Sequence, residues 1–595
     1  MHFMFGIHVH SKTPLTVRGV SYADSNSLIN FFKRIADRIE SLDPHLNHPP
    51  KIQIEAGHFW HRQSFGELSR SHSQNRISVY SKEHDLPELV VDLLDVKGSN
   101  LRPHQICLRS DRMGFFPIYF LNTDQFFAYS SNIKALLPLL SEIKVDRSGI
   151  QNHFHPGHFQ ANIPIEVGAA AIPDSTPFQQ IQSLPPSCEL LIEGSYHRLK
   201  WYWDFQYQPH RKSETQSQLE FRSLLKKACL PFSNHQAAIS VSGGIDSSII
   251  YSILADESTL QPIQFQGFHY FCDFLKTTAA DERQFIQMLE ARFHRDIIKL
   301  PILNRGSFSS RFDQARLFEL PNHDAFFPTL SFLLGQVKAS GYRNILSGHF
   351  GDQIFSNNAV GLKMGWQMIR SLFPFRLRKT SNRNWPNLRE LLASADNLSD
   401  KRALIQTERP VNFLKPEWFH FRQIYNQARL PYHTQSLSLQ FKIHQAHGIK
   451  AHFPFFQTEL LNWLMNTPRT IMANPKWHKG ILQSAFQDLI PTKIVSRNDK
   501  ADYTAVLNSW RNQDLVAIKN LLLGKPKSLD LGILDANHFR TFQDRLKNLQ
   551  LDESPSNKNS AENSAELSWL LYDLVGLESW VEYFFCGQFH REFIT

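Results

Sequence analysis

Cysteine is scarce in this chain: five in 595 residues, at Cys107, Cys188, Cys229, Cys272 and Cys586. They lie far apart and form no C-x-x-C pair, which excludes a disulfide framework and a thiolate zinc site. Thiols so spread read as buried or incidental groups of a reducing compartment. Long hydrophobic runs are missing too. No stretch reaches the ~18 apolar residues a membrane helix needs, and the opening MHFMFGIHVHSK has no apolar run suited to a signal peptide. The expectation is a cytoplasmic protein with no membrane partner. Internal repeats are absent. His153, His155 and His158 are too loosely spaced in a turn-rich segment to make a metal site. Neither sign of charge dominates: 64 basic against 55 acidic residues leave +9, which suits an anionic partner such as ATP or an acidic peptide and equally an ordinary basic protein. No nucleic-acid partner is expected. What is abundant is phenylalanine, 47 residues, which points to Phe-rich cores. The length exceeds what one hydrophobic core supports, so two or more domains are expected.

Along the chain, residues 1–200 read as strand-rich. Short apolar runs at Lys51–Ile54, Leu89–Leu94, Gln105–Leu108 and Cys188–Ile192 are separated by turn residues. From about residue 216, strand and helix patterns alternate as in an α/β sheet, with strand candidates at Ala237–Val241, Ile263–Phe268, Asp296–Leu300 and Asn344–Leu346. Residues Ala280–Phe293 have a helical pattern. Beyond residue 400 the pattern is mostly helical and ends in an amphipathic helix over Leu567–Phe585, preceded by a polar linker at Asp552–Glu566. Arg376–Arg383 reads as a solvated basic loop.

The chemistry concentrates at AAISVSGGIDSSIIYSIL, residues 237–254. A buried strand breaks into Ser242-Gly243-Gly244, and a helix starts near Asp246 with Ser247 behind it. Amide groups at a helix start and glycines that let oxygens approach closely make an anion site. The lysine and longer spacing of the kinase-type phosphate loop are missing. A second turn, ILSGHFGDQIF at 345–355, leaves another strand through Ser347-Gly348 and carries Asp352. In open α/β sheets ligands sit beyond the carboxyl ends of the strands, so both turns fall on one ligand edge. Asp246 and Asp352 there are a suitable oxygen pair for Mg2+ on a nucleotide's phosphates.

S-G-G-x-D-S followed by L-S-G-x-x-G-D resembles the ATP-pyrophosphatase (PP-loop) domain of the asparagine synthetase superfamily, which includes asparagine synthetases, β-lactam synthetases and lasso-peptide cyclases. Residues 106–120, ICLRSDRMGFFPIYF, resemble the amidotransferase pattern R-D-x-x-G-x-x-P-L-Y. YSSNIKALL at 129–137, TPFQQIQSLPPS at 176–187 and WYW at 201–203 are similar to further segments of that domain. Asp281-Glu282 opens a helix as in the family, Phe453-Pro454-Phe455 is similar to its P-F-L-D turn, and most of residues 100–510 is covered. The resemblance implies a degenerate amidotransferase-like β-sandwich at 1–205 and an α/β ATP-pyrophosphatase domain with helical completion at 216–595. It implies ATP and Mg2+ as cofactors, and an acyl-adenylate formed with release of pyrophosphate. Ser242, Gly243, Gly244, Asp246, Ser247, Ser347 and Gly348 would bind nucleotide, with Asp246 and Asp352 on the metal. In PTKIVSRNDKADY, Lys500 would reach the α-phosphate, its spacing from Arg497 being one residue longer than in asparagine synthetases; Lys479 is read as structural.

Departures from the family narrow the function. The amino-terminal cysteine that hydrolyses glutamine is replaced: position 2 is His2, and no cysteine precedes Cys107. The nucleophile would then be free ammonia or an amine of the substrate itself. Gln353 and Gln457 stand where asparagine synthetases have acids, and His349 stands where they have glutamate and β-lactam synthetases tyrosine. Histidine there resembles the lasso cyclases, and an imidazole can take a proton from an attacking amine near neutral pH. The expectation is a lasso-peptide macrolactam ligase acting on a precursor peptide, with a leader protease and a leader-recognition protein as partners. The alternatives are an ammonia-dependent asparagine synthetase-like ligase, a β-lactam-type cyclase, and a catalytically silent ATP-binding scaffold.

Overall fold

A computed structural model describes residues 4–9, 15–17, 20–22, 51–55, 58–62, 68–73, 76–81, 90–94, 105–154, 176–193, 196–230, 236–257, 264–273, 281–302, 306–355, 386, 388–393, 424–425, 428, 431–472, 477, 479–497, 503–549 and 558–586. The amino-terminal part is built from two six-stranded antiparallel sheets. One has Met4–Val9 at its centre, between Phe126–Ser130 and His58–Arg62; the other runs from Tyr196–Trp201 through Cys188–Glu193 and Gln105–Arg109 to Leu68–Ser73. Alternation along the strands explains their packing. Phe120, Phe127 and Tyr129 of the first sheet meet Leu108, Leu190 and Ile192 of the second. The intervening residues Tyr119, Leu121, Phe126 and Ala128 point the other way, into a core shared with Leu507, Ile518, Leu574 and Trp580 of the carboxy-terminal helices. Phe126–Ser130 is therefore buried on both faces. The expected sandwich is present, and its outer face is covered by the far end of the chain.

The second part has a five-stranded parallel sheet in the order Ile297–Pro301, Phe265–Phe271, Ala237–Ser240, Asn344–Ser347, Lys450–His452. Four of these strands were expected. The fifth, Lys450–His452, has three residues and no apolar alternation, so it is hidden in a helical neighbourhood. In the register, Ser240 lies opposite Ser347, so the two glycine turns leave the sheet side by side. The helix Ile245–Glu257 that follows the first turn is almost wholly buried; between its acidic ends, residues 247–255 are apolar or serine.

One expectation needs correction at the carboxy terminus. Helix Lys558–Val581 takes in residues 558–566 of the expected linker, because alanine and glutamate there propagate a helix already held by tertiary packing. The amphipathic pattern expected over Leu567–Phe585 falls largely within this helix, and burial extends past its apolar stripe. Leu570, Leu574, Leu577 and Trp580 are buried, and so is Glu578, whose carboxylate accepts from the Ser528 amide (3.0 Å) and hydroxyl (2.5 Å) and from the Lys527 amide. Residues 376–383 lie outside the described residues.

A buried ion pair locks the two parts together. Glu319, in a left-handed conformation after helix Arg311–Phe318, accepts from the Ile133 and Lys134 amides at 3.0 and 3.1 Å. Lys442 Nζ donates to the same carboxylate at 2.6 Å and to the Phe318 carbonyl at 2.9 Å. The NIKALL segment that resembles the amidotransferase domain is thus the seat of this lock.

Candidate functional site

The first turn holds itself closed. The Ser242 hydroxyl lies 2.9 Å from the Ser247 hydroxyl and accepts from the Gly244 amide at 3.2 Å, and Ser247 Oγ accepts from the Ser242 amide at 3.0 Å. Gly243 has φ +89°, and a Cβ there would sit 3.0 Å from Glu282 Cβ. The glycine thus serves both the turn and its close contact with the neighbouring segment. Arg497 braces the turn from outside: its Nη1 donates to the Gly243 carbonyl at 3.1 Å and to Glu282 Oε1 at 2.6 Å, and its guanidinium lies 3.9 Å from the Phe285 ring. Of the expected Asp281-Glu282 pair, Glu282 is the one that faces the turn. Asp281 is held by Arg283, whose hydrogen bonds keep its carboxyl below the usual range.

The second turn wraps Asp246. A Cβ on Gly351 would lie 2.4 Å from Asp246 Cγ, and one on Gly348 would lie 2.8 Å from the Ser247 amide nitrogen. Only glycine permits this approach, so the S-G-x-x-G spacing reflects contact between the two loops. Between these glycines Phe350 is buried with φ +73°, a strained conformation for a bulky side chain that costs on the order of 1–3 kcal/mol. Its ring packs on Phe456 (4.3 Å between centroids) and Phe453 (5.6 Å). This strain has no signature in the sequence.

The expected metal pair converges, and on a lysine. Lys479 Nζ lies 2.5 Å from Asp246 Oδ2 and 2.7 Å from Asp352 Oδ1, with side-chain exposures of 7%, 15% and 37% respectively. Burial would lower the lysine's pKa, yet the two carboxylates hold it above its ordinary value. Lys479, expected to be structural, lies between the two carboxylates of the candidate site. Two hard-oxygen donors from adjacent turns at a phosphate-type loop fit magnesium that takes its remaining ligands from phosphates and water. Among the described residues no group of three or more His, Cys, Asp or Glu gathers as a metal cage. Lys500, the expected phosphate contact, lies outside the described residues.

His349 stands beside this pair. Its amide donates to Ser347 Oγ at 3.2 Å, and its Nε2 lies 3.5 Å from Ser436 Oγ. Burial among Phe350 and Phe453 pushes its pKa down to about 4, against a weaker upward pull from Asp352. The imidazole is therefore neutral at physiological pH. It can accept a proton, as a weaker base than its ordinary pKa suggests. His444, close enough to influence it, is likewise pushed down to about 4 by burial.

Residues 220–582 match the Asparagine synthase family. The chain belongs to that family. It is also similar to asparagine synthetase [glutamine-hydrolyzing] 3 of Bacillus subtilis (strain 168), 21% identical over 424 residues, covering 67% of this chain and 66% of the relative. The chain thus spans just under two thirds of that curated relative's length. Neither similarity bears on lasso-peptide cyclisation. Among the described residues no helix is long and apolar enough to cross a membrane.

Proposed function

We propose that this family member adenylates a substrate carboxylate and joins it to ammonia or an amine taken up from outside, as an asparagine synthetase-like amide ligase. The observation behind this reading is the convergence of Asp246 and Asp352 on Lys479 beside a glycine turn at the edge of the parallel sheet. The carboxylate oxygen attacks the α-phosphorus, the α–β phosphoanhydride bond breaks, and pyrophosphate leaves. Nitrogen then attacks the acyl carbon, AMP leaves with the acyl C–O electron pair, and His349 receives the nitrogen's proton. Bound by the aspartate pair, magnesium would neutralise charge on the phosphates. Lys479 would add a second positive charge there, and Lys500 a third at the α-phosphate by family resemblance. Glutamine is disfavoured as the nitrogen source because residues 1–106 contain no cysteine, while Cys107 and Cys188 are buried within a sheet.

A narrower reading is a macrolactam ligase that joins a peptide's own amine to an Asp or Glu side chain, with a leader protease and recognition protein as partners. His349, Gln353 and Gln457, which depart from the asparagine synthetase pattern, favour it. One experiment separates the readings. Purified protein is given ATP, labelled pyrophosphate, and either aspartate with ammonium or linear peptides bearing a free amino terminus and an internal Asp or Glu. Exchange with aspartate and ammonium-dependent AMP release support the first reading; a peptide that loses one water supports the second. Glutamate released from glutamine would contradict the external nitrogen source. No ATP turnover with any carboxylate would leave only the silent scaffold.

A further inference from the structure

Lys479 occupies a peculiar position for a residue of a magnesium site. Its ammonium sits between the two carboxylates that would hold the metal, at 2.5 and 2.7 Å. Both are charge-assisted contacts between an ammonium and a carboxylate. Its backbone is fixed as well, because the Lys479 amide donates to Gln483 Oε1 at 2.5 Å just before helix Gly480–Phe486. A divalent ion held by both carboxylates would lie close to an ammonium so placed, and the two cations would repel in a partly buried setting. The other buried cation nearby, Arg497, is committed to Glu282 and the Gly243 carbonyl.

We propose that Lys479 is an internal counter-cation that keeps Asp246 and Asp352 from taking a divalent ion until a nucleotide's phosphates draw its ammonium away. This rests on the reading of the aspartates as the magnesium pair. The charges explain the order of events. Two carboxylates and one ammonium sum to −1, a modest attraction for a free ion. Phosphates arriving at the glycine turn give the ammonium a new partner and bring the metal with them. Metal and nucleotide therefore bind as a unit. The lysine moves from carboxylates to phosphate in the same step, arming the site only when ATP is present.

The test measures protein-bound Mn2+ by water-proton relaxation enhancement, with and without α,β-methylene-ATP, in the full-length protein. Wild type binds Mn2+ weakly alone and at least about tenfold more tightly with the analogue. Lys479→Gln, which removes the charge, binds Mn2+ alone about tenfold more tightly than wild type does, and the gain from the analogue shrinks. Lys479→Arg keeps the charge and binds Mn2+ alone as weakly as wild type. Unchanged or weaker binding of Mn2+ alone by a folded Lys479→Gln overturns the proposal. Should that variant not fold, equal wild-type affinity with and without the analogue overturns it just as well. Wild type that binds no Mn2+ under either condition removes the aspartate pair as the metal site, which is a failure of the underlying reading.

Discussion

Among the described residues, Lys442 and Lys479 are nearly buried against carboxylates, and they do different work. Lys442, 5% exposed, meets Glu319, 0% exposed, at the seam between the sandwich and the carboxy-terminal part. There the charges cancel one to one, and the remaining acceptor capacity of Glu319 is filled by the Ile133 and Lys134 amides. Lys479 instead faces two carboxylates, one of them 37% exposed. The Lys442–Glu319 pair is neutral and closed; the Asp246–Asp352–Lys479 group keeps a negative surplus and a partly exposed carboxylate. Burial of a lysine alone distinguishes nothing, whereas the local sum of charge separates a scaffold from a site.

The largest effect expected is at the sheet edge. Asp246→Asn keeps shape and removes one charge; pyrophosphate exchange into ATP should fall at least about ten-thousandfold, more than about 5 kcal/mol in the barrier. Its thermal midpoint should stay close to that of wild type, since the substitution also relieves the surplus of charge. A variant that exchanges at the wild-type rate would place Asp246 with the scaffold. At the seam the pattern is inverted. Glu319→Ala leaves Lys442 without its anion and two amides without an acceptor, so denaturant unfolding should show a loss of about 3–5 kcal/mol. Glu319→Leu combined with Lys442→Met should recover most of that, because an apolar pair of similar volume replaces a buried ion pair at little cost. Failure of the double variant to recover would mean that the two amides, not the charge, make the lock.

The third effect is smaller and tests the base. His349→Ala should lower amide formation by about a hundredfold, the low end for general-base loss, because a group held down to about 4 is a weak base. Substrate-dependent exchange should persist. The sign of the pH effect follows from the downward shift: His349 stays deprotonated from pH 8 to about pH 5 and gains its proton only below that. No limb near pH 6.5 in the exchange or ligation profile should therefore belong to it. A limb there that His349→Ala abolishes would contradict the buried, neutral imidazole.

The sheet edge was more legible in the sequence than the seam. Short hydrophobic runs placed four of the five parallel strands, two of them ending in Ser-Gly turns, and Ser240 opposite Ser347 shows both turns on one edge. Local patterning suffices there because strand, turn and helix start are consecutive. Glu319, Lys442 and Glu578 could not be placed that way. Each is a polar residue in a helical neighbourhood, and its burial depends on a partner 50 to 186 positions distant. Lys479 failed for the same reason: its carboxylate partner Asp246 lies 233 positions away. The left-handed Phe350 is imposed by packing among distant phenylalanines, and no local residue preference announces it.

Arg497 offers the finest test of the comparison, because it combines features of both regions. Like Lys442 it is buried against one fully buried carboxylate, at 5% and 2% side-chain exposure. Like Lys479 it touches the candidate nucleotide edge, through the Gly243 carbonyl at 3.1 Å. Arg497→Lys preserves the charge but loses the planar stack on Phe285 and the fork that serves two acceptors at once. If its main task is to hold the glycine turn in shape for phosphate, ATP should bind about tenfold more weakly while kcat in exchange stays level, the mark of lost uniform binding. If it is a lock of the seam type, stability should instead fall by about 3 kcal/mol or more with KM for ATP unchanged. Measuring both quantities on one variant decides between them, and the direct contact with the turn makes the first outcome the expected one.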